Sequence, residues 1–272
     1  MERFLPSWRE GPAKRSLIGF LREVTRGREE LPVEQRVAAF DLDGTLVCEK
    51  PRTVLAEFLL DQGASADADS VGRAGASGGH DVLRELGVVF AGRTVIDYDE
   101  VARGFLARAV HPRFGCSYPG LAYQPMLELM ALLGALKFSV FMCTGSSRDF
   151  VRVMAESLFG LRREMIIGSE VRIESLGGAL VRTAEPVPFD DGPGKTVHLW
   201  DRTGTQPLFA AGNSAGDIAM LRAARDGLVL RHDDEAREYA YDDREILAAA
   251  AIEQWTVVSM HRDFVKVWSR TR

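Results

Sequence analysis

The sequence predicts an α/β fold built on a parallel sheet, with a helical segment inserted after the first strand. Three observations carry that expectation. A short apolar run from Arg36 to Phe40 ends abruptly in Asp41-Leu42-Asp43-Gly44, the pattern of a buried strand with carboxylates at its C-terminal end. From Lys50 to about Tyr123 only helical patterns occur, and after Tyr123 strand-length apolar runs alternate with helical ones. The 272 residues, 46% hydrophobic and 27% charged, suffice for a core domain carrying a smaller insertion and argue against disorder, collagen or coiled coil.

Charge and cysteine usage narrow the class further. A net charge of -5 provides no global attraction to nucleic acid or anionic lipid, so neither is expected as a partner. Cys48, Cys116 and Cys143 stand far apart and outside any CxxC pair, which suggests a reducing, cytoplasmic home. Arg9, Glu10, Lys14 and Arg15 interrupt the start where an export signal needs apolar residues. The greasiest segment, Met126 to Met142, is broken by Glu128 and Lys137 and reads as a buried helix followed by a strand rather than a membrane span.

Each element follows from local pattern. Leu17, Ile18, Phe20, Leu21 and Val24 at three- and four-residue spacing predict an amphipathic helix over Gly11 to Arg26. The insertion carries helical stretches at Val54–Leu60, Val82–Leu86 and Val101–Val110, and its Gly-, Ala- and Ser-rich residues 64–81 read as a mobile loop linking two helices. Then come a helix from Met126 to Leu136, a strand over FSVFMC, a helix from Asp149 to Leu158 and a short strand MIIG. VRIESLGGALVRT predicts a hairpin turning at Gly177-Gly178. A helix after Gly194, the strand LFAAG, a helix from Ile218 to Ala224 and the strand GLVLR follow. TVVSM and a terminal helix through Phe264, Val265 and Trp268 are expected to close the chain. In a parallel sheet the ends at Asp41, Thr144, Gly168 and Gly212 share one edge, where open α/β sheets place ligands.

Asp41 and Asp43, two residues apart at a strand end, can lean toward one point while Gly44 turns the backbone. Carboxylates that close repel unless a cation lies between them or one holds a proton. Both remedies suit a hydrolase, with one carboxylate as nucleophile, a divalent metal, and the other carboxylate moving protons. The same four residues also occur in solvated Asp-rich turns and in calcium loops.

Further strand-end and helix-start residues follow in order: Thr144-Gly145 after FSVFMC, Lys195 at a helix start, and Gly212-Asn213-Ser214-Ala215-Gly216-Asp217 after LFAAG. With these motifs the sequence resembles the haloacid dehalogenase-like hydrolase superfamily, from Arg36 to Ala224. The resemblance implies a Rossmann-like three-layer α/β core, residues 1–47 and 124–272, and an inserted helical cap, residues 48–123. Within the superfamily the chain is similar to the phosphoserine phosphatase-like and phosphorylcholine phosphatase-like branch, on LPSWREGPAK, CEKP, SSRDFVRVMAE, FDDGPGK and AAGNSAGDIAML. It has Leu42 where that branch often has Asn, a position that points away from the site.

What the resemblance implies is a phosphatase of a small phosphomonoester, working through an aspartyl-phosphate. Asp41 is then the nucleophile and Asp43 the proton donor and acceptor. Thr144 and the Gly145 amide bind phosphoryl oxygens, and Lys195 offsets the negative charge. Mg²⁺ is held by Asp41, the Asp43 main-chain carbonyl, Asp217 and Asn213. Many relatives carry Asp where Asn213 stands, so Asp217 is expected to take the larger share of the metal. Glu49 fits a substrate amine or a local ion pair, and Arg148 a second anionic group or solvent. The same residues would also serve a phosphotransferase or phosphomutase, or a non-catalytic protein that binds phosphorylated ligands. Gly194-Lys195-Thr196 does not make a P-loop, because Phe189 stands where its first glycine belongs. The five histidines lack metal-ligand spacing, and the run His232-Asp233-Asp234-Glu235 reads as a solvated face.

Overall fold

The structure, a computed structural model, describes residues 2–64, 76–187 and 189–269. Among these, β1 (Val37–Phe40), β2 (Ser139–Ser147) and β3 (Ile166–Ser169) begin the main sheet, and β4 (Val171–Leu176) and β5 (Ala179–Pro186) form a separate antiparallel hairpin. The sheet continues with β6 (Phe209–Gly212), β7 (Asp226–Arg231) and β8 (Thr256–Ser259). Its six strands run parallel in the order β3-β2-β1-β6-β7-β8. The chain therefore winds outward from β1 in one direction and later in the other. The crevice between β1 and β6 is the topological switch point, where ligands bind beyond the strand ends.

Strand alternation sorts the side chains into two cores and makes the fold three-layered. Ala38 and Phe40 of β1, Val140 and Met142 of β2, and Leu228 and Leu230 of β7 enter one core. Val37, Ala39, Phe141, Cys143 and Val229, their immediate neighbours, enter the other. The first core is covered by α1 (Pro12–Arg26), α5 (Gln124–Ala135), α6 (Arg148–Phe159) and the inserted segment. Leu199 of α7 (Pro193–Thr203), Met220 and Leu221 of α8 (Ile218–Ala223), and Ile246 and Ala250 of α9 (Arg244–Glu253) cover the second.

The inserted segment holds α2 (Val54–Asp61), α3 (Ala76–Phe90) and α4 (Val95–Arg108). Its entry and exit run side by side: the Cys48 amide donates to Leu121 O (3.1 Å) and the Tyr123 amide to Leu46 O (2.8 Å). Phe58 of α2 joins the insertion to the sheet's helices, with ring centroids 5.3 Å from Phe90, 5.3 Å from Phe105 and 4.9 Å from Phe150 of α6. The hairpin turns at Gly177 and Gly178, both at positive φ as a two-residue turn requires, and leans on the insertion. There the Gly92 amide donates to Arg182 O, and the Arg182 amide to Arg93 O, both at 2.9 Å. The Arg182 guanidinium is buried against Glu170 (2.5 Å) and Asp149 (3.2 Å) and lies 3.9 Å over the Tyr98 ring.

Two expectations are corrected. Of the presumed linker over residues 64–81, residues 65–75 lie outside the described residues, while from Ala76 the chain is helical. The last turns of α3 bury Leu83, Leu86 and Phe90, and such packing carries a helix into a Gly-rich stretch of poor propensity. The terminal helix is only α10 (Met260–Asp263), capped by Ser259. Phe264 and Trp268 are extended instead, bridging to Trp8 and Tyr123, and Trp268 Nε1 donates to Arg237 O (3.0 Å). The N-terminal segment is pinned alongside, where the Ser7 hydroxyl donates to Glu128 (2.6 Å) and Trp8 Nε1 to Pro125 O (2.9 Å).

Because Phe58 sits where insertion and core share one apolar cluster, Phe58→Ala should lower stability by about 3–5 kcal/mol. Urea unfolding followed by near- and far-UV circular dichroism should then show a single coincident transition. A separate early transition for the insertion would contradict the shared core.

Candidate active site

The site assembles at the switch point because three chain turns meet there. Asp41 leaves the end of β1, with its amide donating to Ala211 O of β6 at 3.0 Å. Gly44 then adopts φ +77°, and a Cβ on it would lie 2.1 Å from Asn213 Nδ2, so only glycine fits this turn. Leu42, between the two carboxylates, is fully buried in the first core, as a side chain pointing away from the site should be.

Lys195, in the first turn of α7 behind Pro193, is 2% exposed and places Nζ 2.6 Å from both Asp41 Oδ1 and Asp217 Oδ1. The other Asp217 oxygen accepts from the amides of Asn213 (2.9 Å) and Ser214 (3.0 Å). Gly212 makes room for this packing, since a Cβ there would lie 2.4 Å from Asp217 Cβ. Thr144 is fully buried near the end of β2, and its hydroxyl accepts from the Ser146 amide (3.0 Å) while retaining a proton to donate. Gly145 faces the Phe189–Asp191 loop.

Asp41, Asp217 and Lys195 are thus brought together, with Asp43 beside them. Asn213 joins the cluster, but its Oδ1 accepts from Thr45 Oγ1 (2.9 Å). Glu49 lies 3.6 Å from Lys50 Nζ, and its charge acts on Asp43. Arg148 pairs with Asp149 at 3.3 Å, in the cluster that also holds Arg152 and Arg182. The run at 232–235 is not a solvated face: His232 and Asp234 are each 2% exposed, drawn inward by Glu238 and Arg237.

Sequence reasoning missed Ser146 and Asp191. Ser146 Oγ donates to Asp43 Oδ2 at 2.6 Å, and Asp191 adds its charge to the field on Lys195. Only the adjacency of Ser146 to Thr144, and of Asp191 to the Gly-Pro-Gly-Lys turn, hinted at either.

The electrostatics follow from crowding. Burial and then Asp217 raise the Asp41 pKa well above its ordinary value, against the pull of Lys195. Burial opposes the Lys195 charge, yet Asp217, Asp41 and Asp191 together raise its pKa. Burial raises Asp43 to about 6, with Ser146 opposing and Glu49 adding to the rise. One ammonium therefore faces several carboxylates, and Asp43 Oδ1 is buried with no hydrogen-bond partner among the described residues. A hard divalent cation suits the chemistry of this set, since all the donors are oxygens, while the point on which Asp41 and Asp217 converge is held by the Lys195 ammonium. Among the described residues no group of three or more His, Cys, Asp or Glu side chains is arranged to hold a metal ion. Any cation would thus need main-chain or amide oxygens beside the two carboxylates.

The molecule is thus a doubly wound α/β protein with two buried carboxylates and a buried lysine at its switch point. A family model for haloacid dehalogenase-like hydrolases matches residues 38–222, and the chain belongs to that family. No curated protein sequence matches it. Among solved structures, a conserved functionally unknown protein from Anaerococcus prevotii DSM 20548 is similar with TM-score 0.62 at 13% identity, covering 94% of each chain. A protein of unknown function from Bordetella pertussis Tohama I has TM-score 0.56 at 16% identity, covering 82% of this chain and 98% of its own. Cytosolic 5′-nucleotidase IIIB bound to cytidine has TM-score 0.52 at 12% identity, covering 89% of this chain and 84% of its own. These likenesses are of fold. Among the described residues no helix is long and apolar enough to cross a membrane.

A raised Asp43 pKa makes stability depend on pH with a definite sign. The unfolded carboxyl ionises near 3.8 and the folded one near 6, so the folded state holds its proton longer and loses stability as pH rises between them. With a chelator present, the melting temperature of Asp43→Asn should gain on wild type from about pH 4 to about pH 6 and stay level above. A constant gap across that range would contradict the assignment.

Proposed function

We propose that this haloacid dehalogenase-like hydrolase is a Mg²⁺-dependent phosphatase of a small phosphomonoester. The observation that carries the reading is the convergence of Asp41 and Asp217 on the one Lys195 ammonium, 2.6 Å from each. A nucleophilic carboxylate needs such a counter-charge to meet an anionic phosphate at all.

In this reading Asp41 attacks phosphorus and the ester oxygen leaves, so that the phosphoryl group becomes bonded to Asp41. Asp43 gives its proton to the departing oxygen and then takes one from the water that releases phosphate. A carboxyl with a pKa of about 6 suits both halves of that exchange near neutral pH. The Ser146 hydroxyl, 2.6 Å from Asp43 Oδ2, aims the carboxyl. The Thr144 hydroxyl and the Gly145 amide supply donors for phosphoryl oxygens, and Lys195 offsets their charge. Asp41, the Asp43 main-chain carbonyl and Asp217 would hold Mg²⁺, whose charge favours the phosphate, with Asn213 a ligand only if its oxygen turns from Thr45. Residues 48–123 would act as the cap, with Glu49 at its root facing the substrate.

Release of p-nitrophenol from p-nitrophenyl phosphate tests this directly. Turnover should require Mg²⁺ and stop with EDTA, and Asp41→Asn should lower kcat by at least about a thousandfold while the protein stays folded by circular dichroism. Substantial residual turnover by that variant would sink the assignment of Asp41.

A further inference from the structure

Beside the site lies a buried polar chain that the proposed mechanism does not use. Glu238, fully buried in the segment after β7, takes three partners on its two oxygens. Oε1 accepts from the Tyr123 hydroxyl (3.1 Å) and the Cys48 thiol (3.4 Å), while Oε2 lies 3.1 Å from His232 Nδ1. His232 Nε2 in turn lies 2.7 Å from Gly44 O. A carbonyl only accepts, so Nε2 carries a proton and donates it, which fixes the imidazole's orientation. Tyr241 stacks on that ring at 4.2 Å and 16°. Burial first, and Glu238 next, raise the pKa values of Cys48 and Tyr123, so both stay donors.

The placement of these residues is informative. Cys48 opens the inserted segment and Tyr123 closes it, so a single carboxylate grips both of its roots. Gly44 directly follows Asp43, and its amide is already committed to Val47 O at 2.8 Å. The His232 imidazole thus holds the Gly44–Thr45 peptide, one residue beyond Asp43, from outside the turn. A buried Glu–His–Tyr–Cys set is a costly way to fill a core, because each polar group must be desolvated and satisfied.

We propose that His232 and Glu238 are positioning residues, coupling the roots of the insertion to the Asp43–Gly44 turn so that the Asp43 carboxyl is held in its productive direction. The proposal rests on the reading of Asp43 as proton donor. A shift of even an ångström at such a group lowers turnover strongly without touching substrate binding.

The test compares His232→Leu, which removes the donor, with His232→Gln, whose side-chain amide can reach the same carbonyl. His232→Leu should lower kcat for p-nitrophenyl phosphate by about tenfold or more, with KM changing less than about threefold, and His232→Gln should recover most of the loss. Independently of turnover, hydrogen–deuterium exchange over residues 41–47 should quicken in His232→Leu and not in His232→Gln. If His232→Leu fails to fold, Glu238→Gln takes its place, with the same expected drop in kcat and faster exchange. Unchanged exchange over residues 41–47 in a folded His232→Leu or Glu238→Gln protein would overturn the proposal, whatever its melting temperature. Equal loss of kcat in the Leu and Gln variants would overturn it as well. A wild-type protein with no phosphatase activity would instead refute the proposed function, leaving exchange to decide the positioning role.

Discussion

The Lys195 ammonium, held between Asp41 and Asp217, is the contact on which the rest of the site depends. It joins the end of β1, the start of α7 and the turn after β6, three pieces that the sheet brings near but does not itself lock. Removing it would leave two buried carboxylates uncompensated, a situation that destabilises proteins far more than the intact pair stabilises them. The surrounding glycines follow from the same contact. Gly212 has no side chain because Asp217 must close on Lys195, and Gly44 has none because Asn213 packs against the turn.

That contact leaves a deficit of positive charge. Asp41, Asp43, Asp191 and Asp217 crowd one ammonium; burial and then Asp217 raise the pKa of Asp41, and burial and then Glu49 that of Asp43. A phosphate dianion entering such a field would be repelled, which is why the proposed phosphatase function calls for a cation to accompany the substrate. The topology puts this demand where it can be met. The charged cluster lies at the switch point between β1 and β6, and the inserted segment enters and leaves on two adjoining roots. Arg182, buried with Glu170 and Asp149, ties the hairpin and the insertion to the start of α6.

Much of this was legible in the sequence, for physical reasons that differ from element to element. The buried strand ending in Asp41, the Gly177-Gly178 hairpin and the amphipathic α1 were visible because period and turn chemistry are local signals. The order of Thr144, Lys195 and Asp217 was visible because each follows a strand or starts a helix. What escaped depended on tertiary contact. Residues 76–81 become helical because the later turns of α3 are buried, and the chain after Asp263 is extended because Phe264 and Trp268 bridge to Trp8 and Tyr123, far away in sequence. His232 looked solvated amid acidic neighbours, yet Glu238, six residues on, turns it inward toward Gly44. Ser146 carried no signal of its own, since its partner Asp43 is 103 residues away in sequence.

The central claim is that Asp41 is the atom donor to phosphorus. The most direct measurement mixes the protein with p-nitrophenyl phosphate and Mg²⁺, quenches in acid within the first turnover, and locates phosphate by peptide mass spectrometry. The account predicts an acyl phosphate on Asp41 that decays as free phosphate appears. Turnover with no phosphorylated Asp41, or with the phosphoryl group on another residue, would contradict it.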